Sequence, residues 1–180
     1  MLKIARKPSA VKRRRRPTFR SRPRPSDVPA LRRLVAATRV FYTVEQTIAA
    51  ELLEERLRRG ADSGYSFFFA DCGAELVGYC AWGAVPLTRN SYDLYWIAVA
   101  PEWQGAGIGQ RLMELAERAV ARCGGGGLYI ETSSRGIYDR TRRFYRRAGY
   151  RQVARLRDFY APDDHKIVLC KLIPAAREHQ

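Results

Sequence analysis

Residues 92–120, YDLYWIAVAPEWQGAGIGQRLMELAERAV, decide how the rest of the chain is read. Leu94 to Ala100 is an apolar run rich in aromatic and branched side chains, the composition of a strand. Pro101 ends it, because proline offers no amide to a sheet ladder. After a short polar connection comes Gln104-Gly105-Ala106-Gly107-Ile108-Gly109, and from Ile108 the apolar spacing turns helical. Ile108, Leu112, Leu115, Ala116 and Ala119 form one stripe. The segment therefore reads strand, glycine-rich turn, helix. Its glycines allow a tight turn and leave bare amides at a helix start, where they can face an anion. A diphosphate is the guest that suits this arrangement.

The spacing narrows which diphosphate. A nucleotide P-loop needs Lys-Ser/Thr after its last glycine, and Gln110-Arg111 stands there instead. The dinucleotide order G-x-G-x-x-G is also missed, since Gly105, Gly107 and Gly109 are evenly spaced. The pattern Q/R-x-x-G-x-G/A fits, with Gln104, Gly107 and Gly109 in place. At these residues, with Trp96 to Pro101 in front, the chain resembles the GNAT N-acetyltransferase superfamily. The resemblance implies acetyl-coenzyme A as cosubstrate, its pyrophosphate at this turn. It implies cofactor contacts from Ile97, Ala98, Val99, Gln104, Gly105, Ala106, Gly107, Ile108, Gly109 and Gln110. The Val99 amide is then the donor to the oxyanion.

A second segment, Tyr138 to Tyr150, reads YDRTRRFYRRAGY. Ile137, Thr141, Phe144, Tyr145 and Ala148 share a helical stripe that Gly149 ends. It resembles the superfamily's later motif, N-x-x-A-x-x-F-Y-x-x-x-G-F, at Phe144, Tyr145 and Gly149. The resemblance makes Tyr145 the general acid for the departing thiolate and a cofactor contact. Tyr138 stands where that motif has Asn, and Thr141 where it has Ala, so the Asn contact to the cofactor is in question. Arg135, Arg140, Arg142, Arg143, Arg146 and Arg147 lie mostly opposite the stripe and read as a solvated face, one or two of them available to a 3′-phosphate.

Composition bounds the rest. The chain of 180 residues holds one domain and a tail, and its apolar runs fall short of a membrane span. Met1 to Ala10 has no apolar block, so a secretory leader is not expected and the cytoplasm is the expected location. Cys72, Cys80, Cys123 and Cys170 form no CxxC pair and read as buried reduced thiols, with no metal site. Residues 1–25 carry eleven of the 33 Lys and Arg and no acid, leaving 22 bases against 18 acids elsewhere. We read 1–17 as a disordered, solvated basic arm, with weak polyanion contact as the lesser alternative, 18–175 as the acetyltransferase domain and 176–180 as a tail.

Taken in order, Thr18 to Arg22 reads as a short strand, and Ser26 or Asp27 caps a helix with Leu31, Leu34, Val35 and Thr38 on one side. Thr43 caps a second helix, from Val44 to Arg59, with Ile48, Leu52 and Leu53 inward. In the resembled family the first two helices and their connection line the acceptor, which marks Phe41, Tyr42 and Glu45. Ser66 to Asp71 and Glu75 to Gly83 pair as a hairpin. In the central strand Tyr92, Leu94 and Trp96 are expected on one face, and Asp93, Tyr95, Ile97 and Val99 on the other. Gly124 to Gly127 break the helix before a strand at Leu128 to Thr132. Two long strands, Tyr150 to Phe159 and Lys166 to Ile173, meet at the turn Ala161-Pro162-Asp163-Asp164.

The expected fold is α/β: a GNAT-like single mixed, mostly antiparallel twisted sheet of six or seven strands, with helices on both faces and the central strands splayed at the cofactor site. The expected function is transfer of acetyl to a primary amine by direct attack, the acceptor being a small amine, an amino acid or a protein N-terminus. Glu131, Asp93, Glu45 or water would take the proton. A non-catalytic coenzyme A sensor or a basic nucleic-acid-binding protein is the alternative, and a homodimer is left open.

Overall fold

The computed structural model describes residues 16–176, so most of the basic arm and the end of the tail lie outside the described residues. The elements run β1 (Thr18–Arg20), α1 (Asp27–Thr38), α2 (Thr43–Arg59), β2 (Ser66–Cys72), β3 (Glu75–Ala84), β4 (Ser91–Val99), α3 (Ile108–Arg122), β5 (Gly126–Ser133), α4 (Asp139–Arg147), β6 (Arg151–Ala161) and β7 (Asp164–Ile173). One seven-stranded sheet takes the order β1-β2-β3-β4-β5-β7-β6. Every neighbouring pair is antiparallel except β4 with β5. None of the described helices is long and apolar enough to cross a membrane.

β3 explains the layering. Leu76 to Gly83 are buried without alternation, which requires cover on both faces of the sheet. On one face Cys80 donates its thiol to the Leu112 carbonyl of α3, and Ile108, Leu112, Met113, Ala116, Ala119 and Val120 turn inward. On the other, Leu31, Leu34 and Val35 of α1 and Ala49, Ala50 and Leu53 of α2 are buried. Ile48, read as a core residue, is 42% exposed; the two small alanines let α2 approach closely instead. The start of α2 is also capped differently from the Thr43 reading: the Glu45 carboxylate accepts from the Tyr42 amide at 2.7 Å. Cys123, expected to be buried, is exposed at the end of α3.

β1 has only three residues and is held by charge. Arg20 reaches Asp27 at 2.7 Å and Asp71 at 2.6 Å, tying β1 to α1 and β2. Asp27 also accepts from the Arg24 amide at 2.7 Å, ahead of the helix, and Ser26 at the N-cap makes no side-chain bond to α1, so the expected cap is replaced by this turn.

Candidate active site

β4 and β5 part early. Their parallel pairing covers only Ser91 to Asp93 against Gly127 to Tyr129, leaving a V that widens toward Val99 and Ser133. A bulge in β4 accompanies this: Leu94 faces Trp82 of β3, but Trp96 faces Ala81, so Tyr95 is the extra residue. Trp82 and Ala81 point to opposite faces, and so, therefore, do Leu94 and Trp96. The strict alternation expected from sequence fails here. Tyr92, Leu94, Ile97 and Val99 lie on the α3 face, while Asp93, Tyr95, Trp96 and Ala98 lie on the α1/α2 face.

The bulge also re-aims the backbone. Ala100 donates to Val77 at 2.9 Å, and in an antiparallel ladder bonded pairs alternate with non-bonded ones. That alternation bonds Ala98 to β3 and turns the Ile97 and Val99 amides into the V. The Val99 carbonyl accepts from the Gln104 side chain at 3.2 Å, which ties the glycine turn to the end of the strand.

The turn has the conformation that its glycines require. Gly105 and Gly107 have φ of +84° and +80°, and a Cβ on either would meet nothing within 4 Å, so the space above them is open. The first backbone bond of α3 runs from Arg111 to Gly107 at 3.0 Å. The amides of Gly107, Ile108, Gly109 and Gln110 have no backbone partner among the described residues. At Gly109 a Cβ would make ordinary contact with the Phe144 ring at 3.4 Å, which shows how closely α4 packs on the start of α3.

A cavity of about 460 Å³ opens over this turn. Ile97, Ala98, Val99, Gln104, Gly105, Gly107, Gly109 and Gln110 line it, eight of the ten strand and turn residues expected from the motif. Ala106 and Ile108 do not; Ile108 is buried beneath α3. From the other side come Arg140, Thr141, Phe144, Arg147 and Ala148 of α4 and its end, with Trp103 before the turn. Arg140 and Arg147 are seven apart on a helix, hence on one face, a spacing visible in the sequence. The two guanidiniums make the mouth positive.

Tyr145 is not part of that lining. It is 5% exposed, packs against Phe144 and Tyr150 with centroids 5.4 and 6.3 Å away, and its hydroxyl makes no hydrogen bond among the described residues. Burial, with the neighbouring Cys80 thiol, raises its pKa above the ordinary phenol value and keeps it protonated. Arg142 departs from the solvated-face reading. It is 9% exposed and donates to the Ser133 carbonyl, to the Arg135 carbonyl at 3.0 Å, and to Asp139. Tyr138 turns away from the cavity, and its hydroxyl donates to Val40 in the α1–α2 connection at 3.4 Å. Burial, then Glu45, pushes it up to about 12.

The three candidate carboxylates differ in their engagement. Glu45 holds the Tyr42 amide, and Glu131 is paired with Lys166 at 2.5 Å. Asp93 makes no hydrogen bond or ion pair among the described residues. Burial, with the charge of Glu131 and against that of Lys166, raises its pKa above the ordinary carboxylate value.

Residues 63–152 match the family model described as an acetyltransferase (GNAT) domain. A solved structure assigned to the GNAT acetyltransferases of Desulfovibrio desulfuricans is 41% identical, covering 87% of this chain and 99% of that one, with TM-score 0.86. The Escherichia coli ribosomal-protein-S18-alanine N-acetyltransferase shares the fold at 19% identity and TM-score 0.70, over 91% of this chain and 98% of its own. An aminoglycoside 6′-N-acetyltransferase complexed with coenzyme A does so at 21% identity and TM-score 0.69, over 89% of this chain and 99% of its own. A search of curated proteins finds no match. The chain belongs to the GNAT acetyltransferase family and is an acyltransferase.

Proposed function

We propose that this protein transfers the acetyl group of acetyl-coenzyme A to a primary amine by direct attack within a ternary complex. The observation that carries this is the cavity at the mouth of the V, where unpartnered amides at the start of α3 stand under open space beside Arg140 and Arg147. Those amides and guanidiniums suit a diphosphate and a further phosphate. The inward amides of Ile97 and Val99 suit an extended amide-bearing arm, and that of Val99 is the oxyanion donor.

The acceptor ammonium loses a proton toward Asp93, at the base of the V, through intervening water, so that a neutral amine attacks the thioester carbonyl. As the C–N bond forms, the carbonyl oxygen becomes an anion held by the Val99 amide. The C–S bond then breaks, Tyr145 gives its proton to the sulfur, and the amide nitrogen loses its extra proton to solvent. Once the products leave and water enters, Asp93 gives up the proton it took and the tyrosinate regains one, so that one proton is released per turnover.

The test is thiol release from acetyl-coenzyme A over an amine panel, with Gly107→Asp as control. Acceptor-dependent release in the native chain and none in the variant is the expected result. An absence of coenzyme A binding by calorimetry would overturn the reading.

A further inference from the structure

Side-chain amines are scarce on this chain and unevenly placed. Of its 33 Lys and Arg only five are lysines: Lys3, Lys7, Lys12, Lys166 and Lys171. A guanidinium stays protonated and does not serve as the nucleophile. Lys166 is paired with Glu131 at 2.5 Å and lies 4.4 Å from the Phe159 ring. Lys171 donates to Glu117 at 2.8 Å and to the Ala148 carbonyl at 3.0 Å. The other three belong to the basic segment ahead of β1, outside the described residues.

Sheet register fixes where that segment leaves the domain. Thr18 of β1 pairs with Asp71 and Asp71 with Leu76, while Val77, next to Leu76, accepts from the Ala100 amide. Thr18 therefore stands in the row that ends β4, beside the Val99 amide assigned to the oxyanion. Because β1 runs antiparallel to β2, the chain before Thr18 heads out at the end of the sheet that carries the glycine turn. Three strand steps separate Thr18 from the end of β4, about 14 Å. The six residues from Lys12 to Thr18 can span up to about 20 Å, and the eleven from Lys7 up to about 36 Å.

Charge and access favour the same route. Glu75 and Glu102 are exposed at this end of the sheet, and the diphosphate at the start of α3 adds further negative charge. Residues 1–16 bring eight cations and no acid to meet them. On the α1/α2 face the V is covered by the α1–α2 connection. There Phe41 rests on Trp96 with centroids 4.9 Å apart, Tyr138 donates to Val40, and Arg135 donates to the Tyr42 hydroxyl. An amine thus reaches the Val99 amide from the end of β4.

We propose that the chain acetylates its own basic segment, with the side-chain amine of Lys12, followed by Lys7, as acceptor. This rests on the acetyltransfer reading above and names an acceptor for that site. After deprotonation the lysine nitrogen attacks the thioester carbonyl carbon. The C–N bond forms, the C–S bond breaks, and the thiolate takes up a proton, giving acetyl-lysine and coenzyme A. Each transfer removes one positive charge from the segment.

The experiment incubates the full chain with acetyl-coenzyme A and no added amine, and follows each lysine by peptide mass spectrometry. One acetyl group should appear on Lys12 and then on Lys7, about ten-fold or more faster than in Gly107→Asp. A tethered acceptor makes the rate first-order, so it should hold over an about ten-fold dilution of the protein. The Lys7→Arg/Lys12→Arg variant should lose this label and keep its coenzyme A affinity by calorimetry. Equal labelling in Gly107→Asp, which marks spontaneous acetylation, overturns the proposal. So does a rate per chain that falls with dilution, which makes a second copy the acceptor, or label confined to Lys166 and Lys171. If coenzyme A binds but Lys12 and Lys7 stay unlabelled, self-acetylation falls and the cofactor half of the reading stands. If coenzyme A does not bind, both fall.

Discussion

Asp93 and Tyr129 lie opposite each other at the last paired position of β4 and β5, and everything beyond them is the gap. Asp93 is thereby placed at the base of the V with a carboxylate that no described residue engages. Asp93→Asn should lower kcat/KM by roughly 100-fold, within the range usual for a lost general base. In the native protein the rate should rise with pH through the elevated Asp93 pKa, an ascent the variant lacks.

The same residue carries a stability prediction of opposite sign. Its folded pKa lies above the unfolded one, so the native state binds more protons. The stability that it contributes is complete below the unfolded carboxylate range and is lost as pH rises through the folded pKa. Asp93→Asn should therefore raise Tm at pH 7, on the order of 2 °C, and the difference should vanish near pH 3. Melting curves at both pH values check this.

Gly107→Asp places a carboxylate and a strained left-handed residue where bare amides face open space. Coenzyme A affinity should fall about 100-fold or more, since the added carboxylate repels the diphosphate at the amides that would hold it. The melt should fall by a few degrees from the left-handed strain and stay cooperative, because the position is exposed and no packing is lost. Calorimetry alongside circular dichroism separates the two effects.

Tyr145→Phe removes a hydroxyl that has no hydrogen-bond partner among the described residues, so stability should be unchanged or slightly higher. We expect kcat to drop by roughly 10- to 100-fold while coenzyme A binding holds. Unaltered turnover on a confirmed acceptor would reduce Tyr145 to a packing residue.

Arg142→Ala provides the contrast. Its guanidinium satisfies the carbonyls of Ser133 and Arg135, and losing it leaves them without that donor. A loss of about 2–3 kcal/mol is expected in urea unfolding. Because α4 carries Arg140 and Arg147, coenzyme A affinity should fall with it.

Local chemistry made part of this protein legible from its sequence. Pro101, the glycines at 105, 107 and 109, and the stripe from Ile108 determined a strand, a phosphate-fitting turn and a helix, because φ preference and helical period act over a few residues. The hairpin of β2 and β3 and the motif lining of the cavity were legible for the same reason. Tertiary structure alone decided which face Trp96 occupies, since the bulge at Tyr95 is a mismatch between two strands and has no signature in either. It also decided that Arg142 is buried, because the carbonyls it meets come from another element, and that Tyr138 holds residues 39–42 instead of lining the cavity. Last, it distinguished Asp93 from Glu131 and Glu45. All three carry the same group, and only the partners brought to two of them, Lys166 and the Tyr42 amide, leave the third unengaged.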